Sequence, residues 1–443
     1  MPGVEDPIRA ELFSPERLEE HAERIARQRV LAGSKAGRRL SPPIRDSARA
    51  LLQCYREIAA VMGDEGATTP AAEWFVDNYH IVDAVVRQVR EDLPQGFYRQ
   101  LPKLAEDPLR GYPRVLGLAW AFVAHTDSRF EPETLQRFVR RFQRVQPLTI
   151  GELWAVPIAL RIVLVENLRR LAEQIVRGRA ARREAGALAN ELLGLGGRAA
   201  RPLAFQELEG ASLSSAFMVE LVQRLREQDP ESTPALRWLN AQLAMLGRSP
   251  DELVHVEHQT QAAMNVTVRN VITSMRTMST LNWTDFFESV SLVDDMLRVG
   301  TEFGAMDFTT RDQYRHAIED LARGSARTEL EVTRLAMAAA KRGAPAPGAP
   351  PGDRSENPGY YLIAEGRPLL ERAIGYRVPA KRWLLRAFRT SATPRYIGTV
   401  AVATLLLLAP PIFIAHALGM SAAALVLLGI LAVIPASDLS VAL

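Results

Sequence analysis

TPAAEWFVDNYHIVDAVVRQVREDLPQG, residues 69–96, decides the fold class. Its apolar residues Trp74, Phe75, Val82, Val85, Val86, Val89 and Leu93 recur at three- and four-residue intervals, the spacing of one buried helix face. Pro70 suits a first helical turn and Thr69 an N-cap, and Leu93-Pro94-Gln95-Gly96 closes the run. The spacing therefore predicts one helix entered at Pro70 and left at Leu93.

The same period continues outward. A second helix is expected through Val115, Leu116, Leu118, Ala119, Phe122 and Val123, a third from Pro132 to Val145, and a fourth from Ile150 to about Arg177. The fourth is strongly apolar at its start, but Glu152, Pro157, Arg161 and Glu166 interrupt it too often for a membrane span, so it reads as a core helix. No alternating Val/Ile/Thr run and no Asn-Gly hairpin occurs. The expected fold class is all-α, a multi-helix cytoplasmic body followed by a C-terminal transmembrane helical hairpin.

Composition divides the chain further. Residues 1–177 form a first helical unit, 178–202 an Arg/Ala/Gly-rich linker, and 203–340 a second helical unit. A Pro/Gly-rich linker at 341–358, a basic juxtamembrane segment at 359–395 and two transmembrane helices at 396–443 follow. Residues 396–415 carry no charge over about 20 positions, enough to cross a hydrocarbon core even with Pro410 and Pro411 inside. A second uncharged run spans 420–437. Lys381, Arg382, Arg386, Arg389 and Arg395 precede the first run and place the body on the cytoplasmic side, with Gly419 at the far face and Asp438 returning. The start, Met1 to Ser14, lacks the apolar run of a secretory leader.

Bulk numbers exclude some classes. With 47% hydrophobic and 24% charged residues the chain is not globally disordered, and a net charge of +3 gives no basic excess for nucleic acid. The lone Cys54 excludes an internal disulfide and a multi-cysteine metal cluster, and its helical setting suits a small buried residue.

Site patterns are scarce. The Asp-x-Asp pair with which many sugar-nucleotide transferases hold a divalent ion is absent, and Asp294-Asp295 reads as a solvated helix face. Gly194-Leu195-Gly196-Gly197-Arg198-Ala199 fits the loose dinucleotide pattern, but a helix precedes it where a strand is required. His255 and His258 stand three apart, whereas a zinc protease helix needs four. No catalytic residue, metal site or cofactor is assigned. One polar-aromatic cluster stands out: Trp74, Tyr79, His80, Tyr98, Arg99, Arg114, His125 and Asp127. Aromatic faces beside charged groups suit a sugar contact. The competing reading is a helix-packing interface whose polar groups satisfy one another.

The segments carrying that cluster resemble the amino-terminal region of cyclic β-1,2-glucan synthases. They are residues 70–80, 92–104, 111–114, 124–127 and 146–154, with further matches at 306–316 and 359–363. The resemblance implies a large bacterial inner-membrane enzyme in which this helical region comes first. Membrane spans, a UDP-glucose-dependent glycosyltransferase module and a phosphorylase-like module then follow. Such an enzyme primes itself with glucose, extends a β-1,2 chain and closes it. Here the chain stops within the first spans, so no catalytic residue carries over. The expected partners are membrane lipid, β-1,2-glucan and a glycosyltransferase module in the same or a separate chain, with no nucleic acid. The alternative is a stand-alone membrane-tethered scaffold or regulatory protein without enzymatic activity.

Overall fold

The structure is a computed structural model and describes residues 6–31, 41–62, 69–92, 95–194, 213–226, 234–245, 247, 249–343, 356–378 and 392–442. Nearly every described element is a helix, as the 3.6-residue period requires. The exception is a two-residue antiparallel pair, β1 (Val30–Leu31) with β2 (Lys103–Leu104). The chain divides into two compact units, residues 1–304 and 305–443.

The first unit begins with α1 (Pro15–Ala26) and α2 (Ser41–Ala59). The helix expected from Pro70 to Leu93 is two helices, α3 (Pro70–Asp77) and α4 (Tyr79–Glu91). Thr69 caps α3 through a bond from the Ala72 N–H, and Pro70 opens the first turn. The break falls at Asn78, whose φ of −106° and ψ of 13° leave the helical region while its Nδ2 donates to the Trp74 carbonyl. Asparagine competes in this way for backbone partners, and apolar spacing alone does not register the break. Next come α5 (Gln95–Gln100), α6 (Arg114–His125) and α7 (Pro132–Val145), α7 with the bounds its sequence predicts.

The organising element is α8 (Ile150–Leu193). It runs on through the 178–193 part of the segment expected to be a linker; 195–202 lies outside the described residues. The reason is physical: this tail is alanine-rich, a strong helix former, and buries Ala185, Ala189 and Leu192 against Phe217, Leu221, Leu225, Leu239 and Leu243. The latter residues lie on α9 (Ser215–Arg226) and α10 (Pro234–Met245). Gly194 ends α8 in the left-handed conformation, φ 67°, which fits the role of a helix C-cap and not of a nucleotide loop. The first half of α8 packs on α2, α3, α4 and α6 and is a core helix. The long α11 (Pro250–Thr280) crosses α3, α4, α8 and α9. Then α12 (Trp283–Val290) packs on α7 and α8, its Phe287 stacked on Trp154 at 4.3 Å, and α13 (Leu292–Arg298) follows. Phe75, Phe122, Phe138, Phe142 and Phe287 are fully buried in this unit. Each contributes roughly 1.5–3 kcal/mol of burial free energy.

In the second unit α14 (Phe308–Arg323), α15 (Glu329–Gly343), α16 (Pro358–Ile363) and α17 (Arg367–Ile374) pack on one another. Arg367 ties α17 to α14 through a 2.7 Å bond to Asp320. The same unit holds a helical hairpin, α18 (Ala392–Ala417) and α19 (Ala422–Ala442). Gly419, at φ 83°, forms its turn, and Thr404 bonds Ser440 across it at 3.1 Å. Within this hairpin 400–417 and 422–441 are long and apolar enough to cross a membrane by length and composition. Their side chains are turned outward, Leu405, Leu406, Phe413, Ile430 and Ile434 each more than half exposed. Asp438 lies inside α19, not after it. Of the basic residues that precede the hairpin, Lys381, Arg382, Arg386 and Arg389 lie outside the described residues.

Candidate functional site

The polar groups of the first unit are organised from α8. Thr149 and Glu152 form a reciprocal capping box: the Glu152 N–H donates to Thr149 Oγ1 at 3.2 Å, and the Thr149 N–H to Glu152 Oε2 at 3.0 Å. Glu152 is fully buried and also meets Arg114 from α6, which donates through Nε at 2.9 Å and Nη2 at 2.6 Å. Arg114 Nη2 additionally donates to the Pro147 carbonyl. About four turns on, Glu166 receives Ser47, Arg169 and Arg170. Burial opposes its charge, but the two guanidiniums outweigh burial and hold its carboxyl below the usual range.

Asp127, at the end of α6, is buried with φ 49°, and Ser128 follows at φ 63°. Thr267 donates to Asp127 Oδ1 at 2.7 Å, and Asn270 to both its carbonyl and Oδ2. Ser274 bridges the Ser128 carbonyl and the Phe130 N–H. This tight turn is thus clamped onto α11 by three hydroxyl and amide side chains one helical turn apart.

An amino-terminal strap, residues 6–13, lies on the same region. The Ile8 N–H donates to Asn167 Oδ1 at 2.6 Å, Asn167 Nδ2 donates to Ser128 Oγ, and Arg170 donates to the Asp6 carbonyl. The Ala10 and Phe13 N–H groups reach the carbonyls of Ala124 and His125. His125 stacks on Phe13 at 3.9 Å, bonds the Glu11 carbonyl through Nδ1 at 2.7 Å, and meets His21 edge-on at 4.5 Å.

The cluster residues thus sit in separate surroundings. Arg114 is paired inside the core, and Asp127 fixes a turn. His125 anchors the strap, and Tyr98 is buried, its hydroxyl pushed to a high pKa by that burial. Tyr79 stacks on Tyr55 at 4.2 Å, and burial lifts its hydroxyl to about 12. Trp74 is exposed at 36% and lies under Arg269, and His80 is exposed on α4. Arg99 lies on α5, its side chain outside the described residues. None of the seven whose side chains are described lines the groove between α8, α9 and α11. Asp294, expected on a solvated face, is instead buried: it takes a 3.0 Å bond from Ser291 and lies 3.9 Å from Arg298, while Asp295 is exposed. His255 and His258 are exposed on α11. Among the described residues no group of three or more His, Cys, Asp or Glu is placed to hold a metal. Cys54 is buried and its thiol is pushed up to about 11, which keeps it a packing residue at neutral pH. Sequence reasoning did not find Asn167, Thr267, Asn270 and Ser274, because their partners lie far away in the chain.

His21 gives this region a pH dependence. Burial, then the nearby His125 and Arg24, lower its pKa from 6.5 to about 4, and its Nδ1 is buried without a hydrogen-bond partner among the described residues. A folded-state pKa below the unfolded one means that unfolding takes up a proton between those values. Its contribution is complete above pH 6.5 and is lost as pH falls toward 4. After allowance for partial solvent access, lowering pH from 7.5 to 5 is expected to cost on the order of 1 kcal/mol through this residue. Urea titrations of the wild type and His21→Phe at both pH values measure it; parallel shifts in the two proteins would refute the assignment.

No family model matches the chain. Over 345 residues, 78% of its length, it is 36% identical to the cyclic beta-(1,2)-glucan synthase NdvB of Rhizobium meliloti (strain 1021). The aligned region spans 12% of that much longer protein.

Proposed function

We propose that this chain, a sequence relative of the cyclic β-1,2-glucan synthases, is a membrane-anchored helical region of such an enzyme that supports synthesis without performing its chemistry. The supporting observation is how the charged residues of the first unit are used. Arg114 with Glu152 and Glu166 with Arg170 are buried, hydrogen-bonded pairs, and the buried Asp127 carboxylate is held by the Thr267 and Asn270 side chains, so these groups hold the body together and are not presented to a substrate. Transfer of glucose from UDP-glucose, initiation on protein and ring closure are assigned to regions outside the aligned stretch. The hairpin α18–α19 anchors the chain in the bacterial inner membrane, with the body on the cytoplasmic side. Among the described side chains of the sequence-derived cluster, Trp74 and His80 are the exposed members that a glucan or a transferase module can reach.

Two measurements test this reading. Membranes containing only this chain, given radiolabelled UDP-glucose, are expected to incorporate no label into glucan or protein. Removing the corresponding region from a complete synthase is expected to abolish cyclic glucan in cells. Incorporation by the chain alone, or full glucan yield without the region, would overturn the proposal.

A further inference from the structure

A groove of about 490 Å³ with a mixed polar and apolar lining lies in the first unit where α8, the entry to α9 and α11 meet. That volume falls within the range of ligand pockets, roughly 300–1,000 Å³. Two ladders line it. Gln174, Gly178 and Arg182 follow one another at four-residue intervals on α8, and Glu257, Gln261 and Asn265 do the same on α11. Residues four apart share one helix face, so each helix turns a continuous strip into the groove.

The chemistry of the strips is specific. Gln174 Oε1 is buried without a hydrogen-bond partner among the described residues, an acceptor that is costly to leave unmet. Gln261 donates to Glu257 at 3.0 Å, and Arg182 lies 4.0 Å from the same carboxylate. With Asp6 and Arg177 also in the wall, two cations face two anions, and the groove has no net charge with which to select an ion. Between the polar groups Ile175 and Met264 supply apolar contact. Amides, hydroxyls, balanced charge and apolar patches suit a neutral ligand rich in hydroxyl groups that also carries C–H faces.

We propose that this groove binds a short segment of neutral glucan, with Gln174 Oε1 accepting from a sugar hydroxyl. That the glucan is β-1,2-linked rests on the function proposed above; the choice of a neutral saccharide rests on the groove itself. Gly178 supplies the control. A Cβ added there meets only the Arg182 guanidinium, at 3.6 and 4.0 Å, so a side chain at this position enters the groove without disturbing backbone.

The test uses the full chain in detergent micelles, with short linear β-1,2-, β-1,3- and α-1,4-gluco-oligosaccharides followed by ligand-observed NMR and calorimetry. The wild type and Gly178→Ala are expected to bind the β-1,2 series alike. Gly178→Phe and Gln174→Leu are expected to bind about tenfold more weakly or worse, with unchanged circular dichroism and melting temperature. Failure of the wild type to bind any of the three series, or equal binding by Gly178→Ala and Gly178→Phe, would overturn the groove assignment and leave the synthase reading standing. Preference for the β-1,3 or α-1,4 series that Gly178→Phe abolishes would uphold the groove and overturn the role in β-1,2-glucan synthesis.

Discussion

Arg114→Met is expected to remove most of the stability of the first unit. The substitution leaves the Glu152 carboxylate, fully buried at the start of α8, without the guanidinium that meets both its oxygens. Breaking a buried pair from one side costs about 3–5 kcal/mol, against a typical total stability of roughly 5–15 kcal/mol. The double variant Arg114→Met/Glu152→Gln separates this from simple loss of volume. Glutamine serves the capping box as glutamate does, so Thr149 keeps its reciprocal partner while the buried charge disappears. The double variant should therefore recover a large part of the loss, about 2 kcal/mol or more. Urea unfolding followed by circular dichroism compares the three proteins. A double variant no more stable than Arg114→Met would show that the arginine acts by packing on Phe142, whose ring centroid lies 5.6 Å away, and not by neutralising Glu152.

This pair also shows which part of the site was legible in the sequence. The apolar run gives the start of α8 at Ile150, but Glu152 reads there only as an interruption of that run, whereas with Thr149 it caps the helix. That Arg114 and Glu152 meet depends on α6 lying along α8, which no local pattern encodes. Asp127 is similar. Its positive φ is uncommon for a residue other than glycine, and the turn is held by Thr267, Asn270 and Ser274, about 140 residues away. The sequence presented Arg114, His125 and Asp127 as neighbours in a sugar-compatible cluster because their segments are close in the chain and share its chemistry. In the fold Arg114 points to α8, His125 to the strap and Asp127 to α11.

The helices were more legible than their ends. Positions that fix a boundary locally were read correctly: Thr69 with Pro70, and Pro132 at the start of α7. Two positions misled in opposite directions. Asn78 breaks a run whose apolar spacing is uninterrupted. Gly178 and the arginines and alanines after it suggest a linker, yet α8 passes through them, because alanine and arginine are good helix formers and α9 and α10 cover the apolar side. The groove escaped notice for the same reason, since its α8 ladder lies beside and within that stretch.

Arginine in place of Ile430 is expected to move the carboxyl end of the chain to the opposite side of the membrane. Ile430 sits midway along α19, 64% exposed, on a helix whose 422–441 window carries a mean hydropathy of 2.2. If α18 and α19 both span, reporters fused to the amino and carboxyl ends face the same compartment. At the centre of a span arginine costs about 2.5–3.5 kcal/mol to insert, whereas isoleucine contributes a few tenths favourably. The exchange shifts the insertion equilibrium of α19 by about 3–4 kcal/mol, a factor of several hundred. With α18 still inserted and α19 excluded, the two reporters should fall on opposite sides. Thr404→Val removes the Thr404–Ser440 bond between the helices together with the hydroxyl's bond to the Val400 carbonyl of its own helix. Such bonds average about 0.6 kcal/mol in membranes, so this variant should keep the wild-type topology. Carbonate extraction of the unmodified chain provides the prior check. Release of the wild type into the soluble fraction, or identical reporter orientation in wild type and Ile430→Arg, would mean that α18 and α19 do not form a membrane hairpin.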